Sequence, residues 1–201
     1  MKILATIGPV SENISNLKKI LKISDIVRIN GSHNTIKWHQ TIAKKIKKIN
    51  INSKILLDIP GVKPRTKNLN NLNIIKNQLV HFSFENKKKN MEILNIPCSN
   101  KLPNKIDKSK LLSVDDGKYL FKILKIYKKS ILAKATYSFV LKPNKGLNIP
   151  NAIYDNHFQY RQYDKFLLKA EKIQYDAIGL SYVQNGRIVQ NIKKNHPNKI
   201  I

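Results

Sequence analysis

Three short stretches bring together residue types suited to anion and cation chemistry. Arg28-Ile29-Asn30-Gly31-Ser32-His33 carries a guanidinium, two side-chain oxygen donors and an imidazole. Asp58-Ile59-Pro60-Gly61, followed closely by Arg65-Thr66, offers a carboxylate and a second guanidinium. Ser181-Tyr182 is the third. Arg28 and Arg65 suit a phosphate or carboxylate, which the planar fork grips bidentately. Asn30, Ser32 and Asp58 are hard oxygen ligands, suited to potassium or magnesium rather than to a soft metal. The same residues also admit a purely structural arrangement. In it Ser32 caps a helix, Arg28 pairs with Asp58, and His33 is a satisfied polar residue. Asp115-Asp116-Gly117 alone reads as a hairpin turn. The five His show no metal-ligand spacing, and Trp38 reads as helix packing.

Such groups must be held at the ends of regular elements. Lys2–Ile7 reads as a buried strand closed by Gly8-Pro9. A helix from Ser11 to Ile23 follows, with Ser11 as its cap and Ile14, Leu17, Ile20 and Leu21 at helical spacing. Asp25–Asn30 is a second strand, Thr35–Ile49 a second helix and Lys54–Ile59 a third strand. This β-α-β-α-β order implies a parallel sheet or barrel with right-handed crossovers. In such proteins reactive groups gather at the carboxyl ends of strands, where all three stretches fall. From about residue 67 to 143 the pattern changes to short strand-like segments, Gln78–Phe84, Lys118–Ile126 and Ile131–Phe139, between Asn- and Lys-rich turns. They read as an inserted small antiparallel β domain. Helical spacing returns near Asp164, then a buried strand, Asp176–Val183, then a helix from Gly186 to Lys194. Pro197–Ile201 reads as the start of a further strand. The expected domains are 1–66, 67–143 and 144–201.

Composition narrows the function classes. The 38 Lys+Arg against 12 Asp+Glu give +26. Yet 34 of those cations are Lys, and Lys, Ile and Asn make 88 of the 201 residues. That bias suggests a drift toward AT-rich codons. The Lys are spread along the chain instead of gathered with Arg and aromatics on one face, as in nucleic-acid binders. No specific nucleic acid is therefore expected. Where Lys is so freely used, the four Arg (28, 65, 161 and 187) become informative, because Lys lacks the bidentate fork. No apolar run approaches the roughly 18 residues of a membrane span. The single Cys98 allows no disulfide framework. The N-terminus shows no small-residue cleavage site, so a cytoplasmic location is expected.

Six segments, in order, resemble pyruvate kinase. Lys2–Pro9 with Ser11 is similar to its opening TIGP-x-S strand, and Val27–His33 to its R-x-N-x-S-H signature. Leu56-Leu57-Asp58 with Arg65-Thr66 resembles its LLDTKGPEIRT segment. Val114–Gly117 resembles its lid VDDG, Lys145–Pro150 its KGVNLP, and Ser181-Tyr182-Val183 its SFV. The resemblance implies an α/β fold: a partial (β/α) TIM-type barrel of about four βα units with an inserted small antiparallel β lid. It implies phosphoryl transfer from phosphoenolpyruvate to ADP, giving pyruvate and ATP. Arg28 would meet phosphoenolpyruvate. Asn30, Ser32 and Asp58 would bind potassium, together with the Ile59 carbonyl. His33, Arg65 and Lys145 would meet ADP or ATP.

Departures from the family pattern are expected to matter. The Thr-Lys-Gly-Pro-Glu-Ile stretch is Ile59-Pro60-Gly61-Val62-Lys63-Pro64 here, so Lys63 replaces Glu. Gly31 replaces a larger apolar residue, and the lid is short. The family's catalytic Lys and its magnesium carboxylates lie on later strands, beyond Ile201. The chain alone is therefore expected to be inactive, completed by a second polypeptide or by self-association. The alternatives are a non-catalytic phosphate- or nucleotide-binding relative and, less favoured by the scattered Lys, a basic nucleic-acid-binding protein.

Overall fold

A computed structural model describes residues 1–84, 93–99, 101–106 and 111–201. Part of the Lys- and Asn-rich turn sequence, 85–92, lies outside them. The chain divides into two compact units, one of Met1–Gly61 with Asn156–Ile201 and one of Val62–Asp155.

The first unit is built on four parallel strands, β1 (Leu4–Ile7), β2 (Ile26–Asn30), β3 (Lys54–Ile59) and β12 (Ala177–Leu180). Their order in the sheet is β1-β2-β3-β12. The helices α1 (Ile14–Ile23), α2 (Ile36–Ile49), α3 (Asn156–Ala170) and α4 (Gly186–Asn195) connect or follow them. The sequence drives this packing through alternation. Val27, Ile29, Ile55, Leu57 and Ile59 are almost fully buried on their strands and meet Leu17, Ile42, Ile46, Leu167 and Ile192 from the helices. Burying each such side chain contributes about 1.5–3 kcal/mol.

The caps differ from the sequence expectation. Asn13, not Ser11, caps α1, its Oδ1 accepting from Asn16 N at 2.8 Å. Ser11 instead closes a 3-10 turn, its Oγ accepting from Gly8 N at 2.9 Å. Thr35, not Ser32, caps α2 by accepting from Trp38 N at 3.2 Å. An N-cap side chain must reach the amide two or three residues on, and Ser32 lies too far upstream of Ile36. The parallel extension expected at the C-terminus is limited to one bridge, Ala177 with Ile200.

The second unit holds a six-stranded sheet and a two-stranded one. The larger sheet contains β5 (Leu79–Ser83), β6 (Leu94–Pro97), β7 (Leu111–Val114), β8 (Tyr119–Tyr127), β9 (Ser130–Ala135) and β11 (Leu147–Asn148), in the order β11-β7-β8-β9-β5-β6. Its neighbours are antiparallel except β5 and β6. β4 (Leu72–Ile74) and β10 (Phe139–Leu141) form the small sheet. The segment expected as one strand over 131–139 is thus two, β9 and β10. Thr136 turns back on Leu120, donating to its carbonyl, and Ser138 Oγ accepts from Lys76 N at 2.9 Å, so β10 pairs elsewhere. A core of Phe82, Phe121, Val80, Ile96, Leu112 and Ile131 fills this unit. Its Cys98 thiol is pushed up to about 12 by burial, so it remains protonated and inert near neutrality.

Candidate functional site

The parallel sheet sets Arg28, Asn30 and Asp58 at adjoining positions on β2 and β3. Arg28 stands opposite Thr6 on one side and Leu56 on the other, and Asn30 opposite Asp58. Side chains two apart on a strand share a face, so Arg28 and Asn30 project the same way.

Arg28 and Asp58 pair directly. Nε and Nη2 of Arg28 both donate to Asp58 Oδ2, at 3.0 and 2.5 Å, and Nη1 donates to Thr6 Oγ1 at 3.1 Å. The other carboxylate oxygen, Oδ1, accepts from Ser181 Oγ at 2.8 Å. The guanidinium is therefore fixed from two strands. Three of its five N–H groups are committed in these bonds, leaving two for an anion. The Arg28 side chain is 27% exposed and that of Asp58 15%, so the pair is partly desolvated yet reachable from solvent.

At and just after the ends of β2 and β3, four oxygens have lone pairs to spare. Asn30 Oδ1 accepts only Ser32 N, at 3.0 Å. Ile59 O accepts Ser181 N at 3.2 Å. Asp58 Oδ1 accepts Ser181 Oγ, and Ser32 Oγ has no protein donor among the described residues. A carbonyl or carboxylate oxygen can accept twice, so each retains capacity for a hard cation. Gly31 permits the local chain path. A Cβ there would meet Phe166 Cζ at 2.6 Å and Asp58 O at 2.7 Å, and Gly31 N donates to that same carbonyl at 2.8 Å. Phe166 thus takes the room a larger residue at 31 would need.

His33 holds its place through its backbone: His33 N donates to Asn30 O at 3.2 Å, and its carbonyl accepts from His39 Nε2 at 2.8 Å. His39 is almost fully buried, and burial pushes its imidazole below the usual range, partly offset by the His33 and Asn30 carbonyls.

The first unit therefore carries Arg28, Asn30, Ser32, His33, Asp58 and Ile59, whereas Arg65 and Lys145 belong to the second. There Arg65 Nη1 donates to Asn144 O at 3.2 Å, and Lys145 Nζ pairs with Asp115 Oδ1 at 3.0 Å. The Asp115-Asp116-Gly117 stretch is the expected turn between β7 and β8, with φ of 58°, 55° and 95°.

Thr6, Gln159 and Tyr163 went unread as contributors, whereas Ser181 stood in one of the three expected stretches. Thr6 anchors Arg28. Ser181, noted for its position, anchors Asp58. Gln159 and Tyr163 on α3, both fully buried, hold the strand end: Gln159 Nε2 donates to Tyr182 O, and Tyr163 OH to Ser181 O at 2.6 Å. Burial pushes the Tyr163 phenol up to about 12 despite its hydrogen bond with Gln159, so it stays a donor. Arg161, Gln162 and Asp164 surround them with further polar residues, so nothing in the sequence distinguishes these two.

Relatives place this arrangement. The family model "Pyruvate kinase, barrel domain" matches residues 1–199. A pyruvate kinase of Buchnera aphidicola subsp. Schizaphis graminum is 30% identical over 190 residues, which are 90% of this chain and 39% of that protein. One from Thermococcus litoralis is 26% identical over 96% of this chain and 42% of its own length. The crystal structure of Cryptosporidium parvum pyruvate kinase superposes with a TM-score of 0.71 at 25% identity, covering 96% of this chain and 42% of that one. The chain thus spans about two fifths of the length of these relatives. Its parallel βα units are part of a TIM-type barrel, interrupted by a mainly antiparallel β unit. By sequence, fold and the order of its motifs, the chain belongs to the pyruvate kinase family.

Proposed function

We propose that this chain supplies the phosphoenolpyruvate-binding part of a kinase that moves a phosphoryl group from phosphoenolpyruvate to ADP, giving pyruvate and ATP, in the cytoplasm. One observation carries the reading: Arg28, fixed by Asp58 and Thr6 at a strand's carboxyl end, keeps two donors for an anion. Arg28 binds and orients the phosphoryl group. Phosphoryl transfer depends chiefly on such positioning and charge. Asn30, Ser32, Asp58 and the Ile59 carbonyl suit potassium, because all four donors are hard oxygens with spare lone pairs. Bound there, potassium would add positive charge beside the phosphate. His33, Arg65 and Lys145 are the proposed contacts to the nucleotide. Magnesium is a different matter. Among the described residues no group of three His, Cys, Asp or Glu is placed to hold a metal ion. No step is therefore assigned to magnesium on this chain, and the groups that hold it are proposed to come from outside the described residues. That same observation favours a second reading, a relative that binds phosphoenolpyruvate without turnover.

The test is calorimetric titration of the 201-residue chain with phosphoenolpyruvate. Saturable binding is expected in potassium chloride, at least about tenfold weaker in choline chloride or in Arg28→Lys, as loss of a charge-assisted bidentate contact costs about 1.5–3 kcal/mol. Equal affinity in all three would sink the proposal. A lactate-dehydrogenase-coupled assay of the same chain is expected to show no pyruvate. Adding the later barrel strands in trans restores pyruvate formation on the kinase reading and leaves it absent on the binding-only reading.

A further inference from the structure

Within the second unit two segments run side by side. Arg65 and Gly146 form an antiparallel bridge. Thr66 N donates to Lys145 O and Leu147 N to Pro64 O, both at 2.8 Å. The turn after β7 is tied to the same place, Asp115 N donating to Gly146 O at 2.9 Å. Three cationic side chains, of Lys63, Arg65 and Lys145, therefore rise from one small area of backbone. Two carboxylates meet them. Lys145 Nζ lies 3.0 Å from Asp115 Oδ1, and Lys63 Nζ 2.5 Å from Asp116 Oδ1. Lys63 reaches Asp116 across Gly146, where a Cβ would meet its Cε at 2.6 Å and its Nζ at 3.1 Å.

Asp116 is the focus of this group. Its carboxyl is held below the usual range by the hydrogen bond and charge of Lys63, with Arg65 and Lys145 acting in the same direction. Its side chain is nevertheless 82% exposed. A carboxylate that three cations attract, and that is open to water, is a weakly held internal anion. An anion with more charge and more oxygens competes for the same cations and wins.

We propose that Lys63, Arg65 and Lys145 form a polyphosphate-binding site which the Asp116 carboxylate fills until a ligand displaces it. Lys63 is the new member. It stands where the resembling family segment has Glu, so the third cation is this chain's own. The inference deepens the nucleotide side of the proposed function, and it rests on that reading for taking the polyphosphate to be that of ADP or ATP.

Calorimetric titration of the full chain with tripolyphosphate and with ADP tests it. Ionic strength is held at about 0.15 M, since a chain of this charge binds polyanions nonspecifically at low salt. Lys63→Ala is expected to weaken both ligands about tenfold and Lys63→Arg to restore most of it, one charge-assisted contact being worth about that factor. Asp116→Asn is expected to tighten binding, because the more exposed of the two competing carboxylates is gone. Lys19→Ala, on α1, serves as the charge control and is expected to change affinity less than about twofold. Equal losses in Lys63→Ala and Lys19→Ala, weaker binding in Asp116→Asn, or no binding by the unmodified chain would each overturn the site. Arg28→Lys separates the two readings: it is expected to lose phosphoenolpyruvate and keep tripolyphosphate.

Discussion

Gly61 is the most closely packed glycine of the first unit. A Cβ at this position would meet Ser181 O at 2.2 Å, Tyr182 Cβ at 2.7 Å and Ser181 C at 3.0 Å. The obstacle is mainly backbone, and that backbone is already held: Tyr163 and Gln159 bind the carbonyls of Ser181 and Tyr182, and Tyr182 sits at φ 64°. A non-glycine residue with positive φ is strained. Gly61→Ala is therefore expected to destabilise the chain by about 1–3 kcal/mol, the usual cost of forcing extra volume into a packed site. The midpoint of urea unfolding measures it, and an unchanged midpoint would show that the strand end can move. Residue chemistry around Arg28 was legible in the sequence, because Arg is rare here and its neighbours carry oxygen donors. The partners that hold the site were not. Thr6 is one strand away and Ser181 is 123 residues from Asp58, and one sequence carries no record of such distances.

At the scale of elements, the strands that match a period of two over five or six residues were readable, β3 to the residue. Of the strands of two to four residues, β1 and β12 were readable as apolar runs, but β4, β6, β7 and β11 were not, since so short a run shows no period. The start of α3 was hidden for another reason: Gln159 and Tyr163 point inward to bind carbonyls and so break the apolar stripe. Asp176 shows how elements are fastened together. Just before β12, its Oδ2 accepts Ile55 N of β3 at 2.9 Å and Lys47 Nζ of α2 at 3.0 Å. Burial raises its pKa, but the Ile55 amide and Lys47 outweigh that and leave it below the ordinary value of 3.8. The folded chain then holds fewer protons than the unfolded one as the pH falls below that value. Asp176 contributes its stability above the unfolded pKa and loses it as pH falls through the lower folded one. Asp176→Ala is expected to cost about 1–3 kcal/mol at pH 7. The same variant should flatten the acid limb of stability as the pH falls below about 4. Urea midpoints across that range decide it, and an unaltered acid limb would place the linkage elsewhere.

For the whole molecule, charge dominates. The side-chain ion pairs of Arg28, Lys47, Lys63 and Lys145 stand against a net charge of +26. Self-repulsion of that size opposes compactness. Thermal unfolding is therefore expected at higher temperature as sodium chloride rises from about 0.02 to 0.3 M, over which the screening length falls below about 10 Å. A midpoint that falls with salt would mean that ion pairs outweigh the repulsion. No described helix is long and apolar enough to cross a membrane.

The sheet order β1-β2-β3-β12 also carries a kinetic meaning. β2 and β3 meet across a short helical crossover, whereas β12 must reach β3 across a separation of 121 residues, from Ile55 to Asp176. Closing so long a loop costs entropy that grows with its length, and nonlocal parallel pairing is slow. Ser181 lies just past β12, so Asp58 gains its second anchor only when that loop closes. Arg28 and Asp58 can pair without that closure, but the second anchor of the carboxylate depends on it.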